Sequence, residues 1–95
     1  MSGGYSDTTR VVVATNQVSC DLAGEAVVLN LSSGTYYGLS AVGARVWTLI
    51  RQPKTFAELR ETLLAEYDVA PPVLESDLCE LLARLAEEGL IEVNE

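Results

Sequence analysis

The sequence predicts an α+β domain in which a three-stranded antiparallel sheet is followed by three helices, the outline of a winged-helix fold. Three observations carry that prediction. Short β-prone runs, Val11-Val12-Val13 and Ala26-Val27-Val28-Leu29-Asn30-Leu31, occupy the first forty positions. From Ser40 onward apolar residues recur at helical spacing, interrupted at Pro53 and again at Pro71-Pro72. The stretch Gly34-Thr35-Tyr36-Tyr37-Gly38-Leu39-Ser40 joins the two halves with a turn, a strand and a helix cap in immediate succession.

Residues 1–9 (MSGGYSDTT) are polar and rich in Gly and Ser, so a disordered or loosely attached tail is expected there, with residues 10–95 as one domain. Val11 to Val13, continued by Asn16, Gln17 and Val18, forms the first β-prone segment, and Asp21 to Gly24 reads as a turn. The second strand, Ala26 to Leu31, sets Val27, Leu29 and Leu31 on one face and Ala26, Val28 and Asn30 on the other. Ser32-Ser33-Gly34 turns the chain into a third strand. There Thr35, Tyr37 and Leu39 share a side and Tyr36 faces away.

Ser40 is placed to cap the first helix, whose Val42, Val46, Leu49 and Ile50 share a face. Trp47 belongs to the core, with its indole N–H expected near the surface. Thr55-Phe56-Ala57-Glu58 fits a capping box at the start of the second helix. Phe56, Leu59, Leu63 and Tyr67 form that helix's apolar face, with Leu64 beside them. The third helix is expected over Val73 to Glu88, with Leu74, Leu78, Leu81, Leu82 and Leu85 as a continuous stripe. Gly89 occupies the left-handed cap position, Leu90 follows as its apolar contact, and Ile91-Glu92-Val93 makes a short final strand.

Composition excludes several function classes. The 95 residues carry six Lys and Arg against fourteen Asp and Glu, a net charge of −8 and a pI near 4.3. Phosphate neutralisation requires the opposite balance, so nucleic acid is a poor partner. The segment Glu75-Ser76-Asp77-Leu78-Cys79-Glu80 is the reverse of a basic recognition helix. The two cysteines, Cys20 and Cys79, are far apart and the chain has no His. Zinc sites and Cys–His nucleophiles are thereby excluded, and two reduced thiols in a cytoplasmic protein are the plain reading. No signal peptide or membrane span is evident. No phosphate loop, dinucleotide fingerprint or paired acid/base constellation occurs, so neither an enzyme nor a cofactor is expected.

Binding is the remaining class. A short strand with unpaired N–H and C=O groups, if Thr35 to Leu39 is an edge, accepts an extended peptide as an added strand. Main-chain hydrogen bonds would then supply affinity, and pockets near Tyr36 and the third helix would supply specificity. Tyr37 is assigned to the core and Tyr36 to the surface. The leucine stripe is mostly core, with only its fringe available to a groove.

The order Val28-Leu29-Asn30-Leu31, Gly34-Thr35-Tyr36-Tyr37-Gly38-Leu39, Gly43, Val46-Trp47 and Leu82, Leu85, Gly89-Leu90-Ile91 resembles PqqD-type proteins, the recognition elements for ribosomally made, post-translationally modified precursor peptides. The resemblance spans Val11 to Val93. It implies three strands and three helices in a winged-helix-like arrangement, with a precursor's leader bound as an extra strand beside the third helix. The Gly-x-Tyr-Tyr-Gly-Leu-Ser form looks most like standalone leader-binding proteins of lasso-peptide pathways. These present a leader carrying a Tyr-x-x-Pro motif to a separate leader peptidase and a cyclase. Carried onto this chain, the resemblance makes Thr35, Tyr36, Tyr37, Gly38 and Leu39 the pairing edge. Leu74, Asp77, Leu78, Leu81, Leu82 and Leu85 become the groove wall, with Glu80 and Arg84 as polar contacts. Ser40 stands where PqqD itself often has Asn, which slightly disfavours the pyrroloquinoline quinone pathway. That pathway's peptide chaperone remains an alternative, as do a winged-helix regulator and a self-pairing dimerisation module.

Overall fold

The computed structural model describes residues 5–22 and 25–94. Its elements are β1 (Arg10–Val13), β2 (Gln17–Leu22), β3 (Glu25–Asn30), β4 (Thr35–Leu39), α1 (Ala41–Leu49), β5 (Lys54–Thr55), α2 (Phe56–Glu66), α3 (Pro71–Glu87) and β6 (Ile91–Asn94). The expected three-stranded antiparallel sheet is present in the order β2-β3-β4, followed by the three helices. Its first strand is Gln17–Leu22, so Asp21 belongs to a strand and not to a turn. Positions 23 and 24, the rest of that expected turn, lie outside the described residues.

Val11 to Val13 does something else. It forms a second sheet, in the order β5-β1-β6, and so brings the two ends of the chain together. Val11 pairs with Val93 and Val13 with Ile91 in antiparallel register. The break between β1 and β2 has a definite cause. The Val13 N–H donates to the Ile50 carbonyl at 3.0 Å and the Ala14 N–H to the Leu90 carbonyl at 2.9 Å. Both donors are thus held by the helical half of the protein and cannot continue one strand into the next.

Of the loose tail expected over residues 1–9, positions 1–4 lie outside the described residues, and residues 5–9 make defined contacts. The Tyr5 ring stacks on Phe56 with centroids 5.8 Å apart, and Asp7 pairs with Arg60 at 2.8 Å. The carbonyl of the fully buried Thr9 accepts from the Phe56 N–H at 2.8 Å. These contacts attach Tyr5 to Thr9 to the start of α2.

The core is shared by all three helices and the inner faces of the sheets. Trp47, Ile50, Leu59, Leu63, Leu82 and Leu85 sit at its centre, each 2 % exposed or less. Burial of each side chain of this size contributes about 1.5–3 kcal/mol before conformational entropy is set against it. In β3 the inward set is Ala26, Val28 and Asn30, as the alternation of the sequence allows. The expected α1 face is shifted: Val46 and Ile50 are buried together with Trp47, while Val42 is 40 % exposed. The Trp47 indole N–H is buried rather than near the surface, and has no hydrogen-bond partner among the described residues.

Local signals set most helix ends. The Thr55 hydroxyl accepts from the Glu58 N–H at 3.1 Å, and the Glu58 carboxylate accepts from the Thr55 N–H at 2.8 Å, completing the capping box. Ser40 occupies the N-cap of α1 in extended conformation, but its side chain makes no capping bond. α3 begins at Pro71, two residues before the expected start, because Pro at the first helical positions sacrifices no intrahelical donor. At its other end Gly89 adopts φ +74°. The Leu90 N–H then reaches the Leu85 carbonyl at 3.0 Å and the Gly89 N–H reaches Ala86 at 3.1 Å, a Schellman motif.

One polar residue joins the sheet to this helix end. Asn30 is 6 % exposed. Its Oδ1 accepts from the backbone N–H of Ser32 at 2.9 Å and of Ser33 at 3.2 Å, shaping the turn between β3 and β4. Its Nδ2 donates to the Glu88 carbonyl at 2.8 Å, just past the end of α3. Asn30→Ala removes all three bonds and strands the Glu88 carbonyl, so it should cost about 2–3 kcal/mol in urea unfolding with an unchanged m value. Asn30→Asp keeps the acceptor but aims a carboxylate at a carbonyl, and should cost at least as much.

Candidate functional site

Among the described residues β4 is an edge strand, with β3 on one side and no strand on the other. α3 runs past it at a distance set by the Asn30 contact and by a second one. The Tyr37 hydroxyl donates to the Glu88 carboxylate, bridging β4 to the end of α3. Tyr36, the next residue along, is 69 % exposed on the other face of the sheet. Tyr36 is at the surface as expected, whereas Tyr37, assigned to the core, is only half-buried and borders the groove.

Between β4 and α3 lies a groove enclosing about 440 Å³, bordered by Tyr36 to Ser40 on the strand side and by Leu81, Arg84, Leu85 and Glu88 on the helix side. At its far end Leu81 also borders a second cavity of about 280 Å³, set among α1, α2 and α3. Val42, Tyr67, Val69 and Leu78 make this cavity apolar, and Asp68 and Asp77 stand on its border. The two share Leu81, and the adjacent Val42 and Gly43 border one each. Close approach of α1 to β4 explains the glycine there: a Cβ at Gly43 would lie 3.3 Å from the Leu39 Cβ.

Most of the expected site residues come together. Tyr36, Tyr37, Gly38, Leu39, Leu81, Arg84 and Leu85 border the groove, and Leu74, Asp77, Leu78 and Leu81 border the apolar cavity. Three do not join them. Thr35 is exposed at the start of β4, outside the groove, where the turn has just ended. Leu82 is fully buried and belongs to the core alone. Glu80 borders a different depression beside Tyr5 and Phe56, because a helix turns about 100° per residue and Glu80 points away from Leu81.

Several bordering residues escaped the sequence reading. Tyr67 carries only the signal of α2's apolar face, and nothing in the order of Asp68 and Val69 marks them as a cavity wall. Glu88 carries no signal for its bond to Tyr37, since the two are fifty-one positions apart. Val42 alone had a usable cue, a helical apolar position beside the strand.

The chemistry available is recognition. No group of His, Cys, Asp and Glu among the described residues is arranged to hold a metal ion. Burial, and then the neighbouring Glu75, push the Cys79 thiol up from its ordinary range, which keeps it protonated at neutral pH. Among the described residues Arg84, Asp68 and Asp77 make no ion pair, whereas Arg45 is held by Glu66 at 2.7 Å and Arg60 by Asp7. The groove therefore offers a bare strand edge, an apolar cavity and uncommitted charges.

An α+β fold of winged-helix outline with an open strand edge facing its last helix defines a small recognition domain. Residues 25–91 match the family described as Coenzyme PQQ synthesis protein D (PqqD), and the chain belongs to that family. Among solved structures it is similar to one described as TbiB1 in complex with the TbiA(beta) leader peptide, at 40% identity and TM-score 0.80, with 85% of this chain and 94% of that chain covered. A second, lasso peptide synthetase B1 complexed with the leader peptide, shares the fold at 22% identity and TM-score 0.76, covering 86% and 96% of the two chains. No curated protein sequence matched.

The Tyr37–Glu88 bond has a pH signature. Donation to the Glu88 carboxylate, then burial, raises the Tyr37 pKa above 10.0. A folded-state pKa above the unfolded one contributes stability that is complete below the unfolded value and is lost as pH rises through the folded value. Unfolding free energy should thus fall above pH 10, and Tyr37→Phe should show a shallower alkaline fall in pH-dependent denaturation. A residual slope persists because burial also raises the Tyr5 and Cys79 pKa values.

Proposed function

We propose that this protein binds the leader of a ribosomally synthesised precursor peptide, of the lasso-peptide type, by adding it as a strand to β4. The observation that carries this reading is the bare edge of β4 facing α3 across a groove that ends in an apolar cavity. The family and the 40% identity to a chain described in complex with a leader peptide support it. Backbone pairing along Tyr36 to Leu39 supplies affinity with little demand on sequence. The cavity bordered by Val42, Tyr67, Leu78 and Leu81 accepts a large apolar or aromatic side chain, such as the Tyr or Pro of a Tyr-x-x-Pro leader.

Holding the leader leaves the core segment of the precursor free. Tethering converts its meeting with a leader peptidase and a cyclase into an event at high effective concentration, without new contacts at the reacting bonds. In this role the protein contributes position and no chemistry of its own. The fully assembled system acts in the cytoplasm, where the two thiols stay reduced.

Leu81 is the residue to test. It is only partly buried, unlike Leu78 at 3 % exposure, where a charge would unfold the domain. With a synthetic Tyr-x-x-Pro leader from the neighbouring precursor gene, calorimetry should give saturable one-to-one binding. Leu81→Glu should weaken that binding at least about ten-fold, the size of losing one buried apolar contact, while the circular dichroism and unfolding midpoint stay close to wild type. Unchanged affinity in the folded variant would remove the α1–α2–α3 cavity from the site.

A further inference from the structure

The groove is electrically polar along its length. At the end beside the β3–β4 turn stands Arg84, exposed and without an ion pair, while the neighbouring Glu88 carboxylate is engaged by the Tyr37 hydroxyl. At the other end Asp68 and Asp77, both exposed and both without a cation partner, flank the mouth of the apolar cavity. The carboxylates that do meet a basic side chain, Asp7, Asp21 and Glu66, lie elsewhere. The Glu88 carboxylate keeps its charge while it accepts from a neutral hydroxyl. The charges at the turn end, Arg84 and Glu88, therefore balance, whereas the cavity end with Asp68 and Asp77 is negative.

Resting on the reading of β4 as the peptide-pairing edge, we propose that this polarity selects a dipolar peptide and fixes its direction and register. The selected peptide carries cationic residues next to the apolar side chain that enters the cavity, and an anionic residue where it passes Arg84. The topology orders these features. β4 runs from the turn toward the cavity, since Tyr37 lies against Glu88 and the strand ends at Leu39 beside Gly43. An added strand antiparallel to β4, the pairing of every ladder among the described residues, runs the opposite way. Its N-terminal half therefore meets Asp68 and Asp77, and its C-terminal half meets Arg84. Edge pairing by backbone alone leaves register loose, and the difference in charge between the two ends penalises both slippage and reversal.

The test uses two peptides of equal net charge, so that the −8 of the protein does not bias the comparison. Both are fluorescein-labelled fourteen-residue peptides with a central Tyr-x-x-Pro. One has Lys-Lys near its N-terminus and Glu-Glu near its C-terminus, and the other has these pairs exchanged. By fluorescence anisotropy at 50 mM salt, the Lys-first peptide should bind about five-fold more tightly or better, as expected of two or three exposed ion pairs. That preference should shrink at 500 mM salt and reverse in the Asp77→Lys/Arg84→Glu variant. Equal affinities in the wild-type protein overturn the polarity and leave strand addition standing. Tighter binding of the exchanged peptide overturns the antiparallel direction. Failure of both peptides to bind a folded protein, when the leader of the neighbouring precursor gene binds, overturns the selectivity. Failure of that leader too removes the peptide-binding reading on which the inference rests.

Discussion

The Asn30 side chain governs the spacing on which the groove depends. A buried amide has four hydrogen-bonding positions to satisfy, and an unmet one costs about as much as a lost hydrogen bond. Asn30 meets three partners by joining two places that have no other reason to touch, the β3–β4 turn and the carbonyl of Glu88. That carbonyl lies just beyond the last turn of α3, where helices leave acceptors unpaired. The sheet thus supplies a donor that the helix end lacks, and the helix supplies the acceptor that fixes the turn. The Tyr37–Glu88 bond repeats the connection one strand over. Together they pin β4 beside α3 at one end and leave the rest of the interval open.

The opening is stable because the core is built elsewhere. Leu74, Leu78, Leu82 and Leu85 turn inward from α3, leaving Leu81 at the fringe. β4 is held by β3 on one side and by the packing of Leu39 against Gly43 at its end. Its free edge is short, five residues, and this limits the aggregation hazard that a longer bare edge would bring. The β5-β1-β6 sheet pairs the two ends of the chain and takes no residue from β4. Affinity for an extended peptide can therefore be gained at β4 without disturbing the residues that hold the fold.

Much of this was legible from local patterns. The capping box at Thr55, the left-handed Gly89 and the alternation through Ala26 to Asn30 each depend on a few neighbouring residues, and each appears as read. What escaped depends on distant partners. Val11 to Val13 has the composition of a sheet strand, but only the positions of Ile91, Ile50 and Leu90 decide which sheet it joins. Ser40 has a capping side chain and does not use it. Tyr5 to Thr9 looks like a tail until Phe56 and Arg60 are placed beside it. The β4 half of the site was readable as an edge after a turn, and the α3 half as a fringe of the leucine stripe. The cavity wall from Tyr67 to Val69 was not, since a helix end gives no indication of what it will face. Glu80 was misassigned because a helix offers two flanks and the sequence does not say which one faces β4.

The account makes β4 the strand that receives a peptide, and backbone amide exchange measures this directly. With the leader of the neighbouring precursor gene at saturation, amides in Tyr36 to Leu39 should gain protection, while those of the opposite edge, β2, should keep their free-state rates. Protection appearing on β2, or no change on β4 in a saturated complex, would contradict strand addition at this edge.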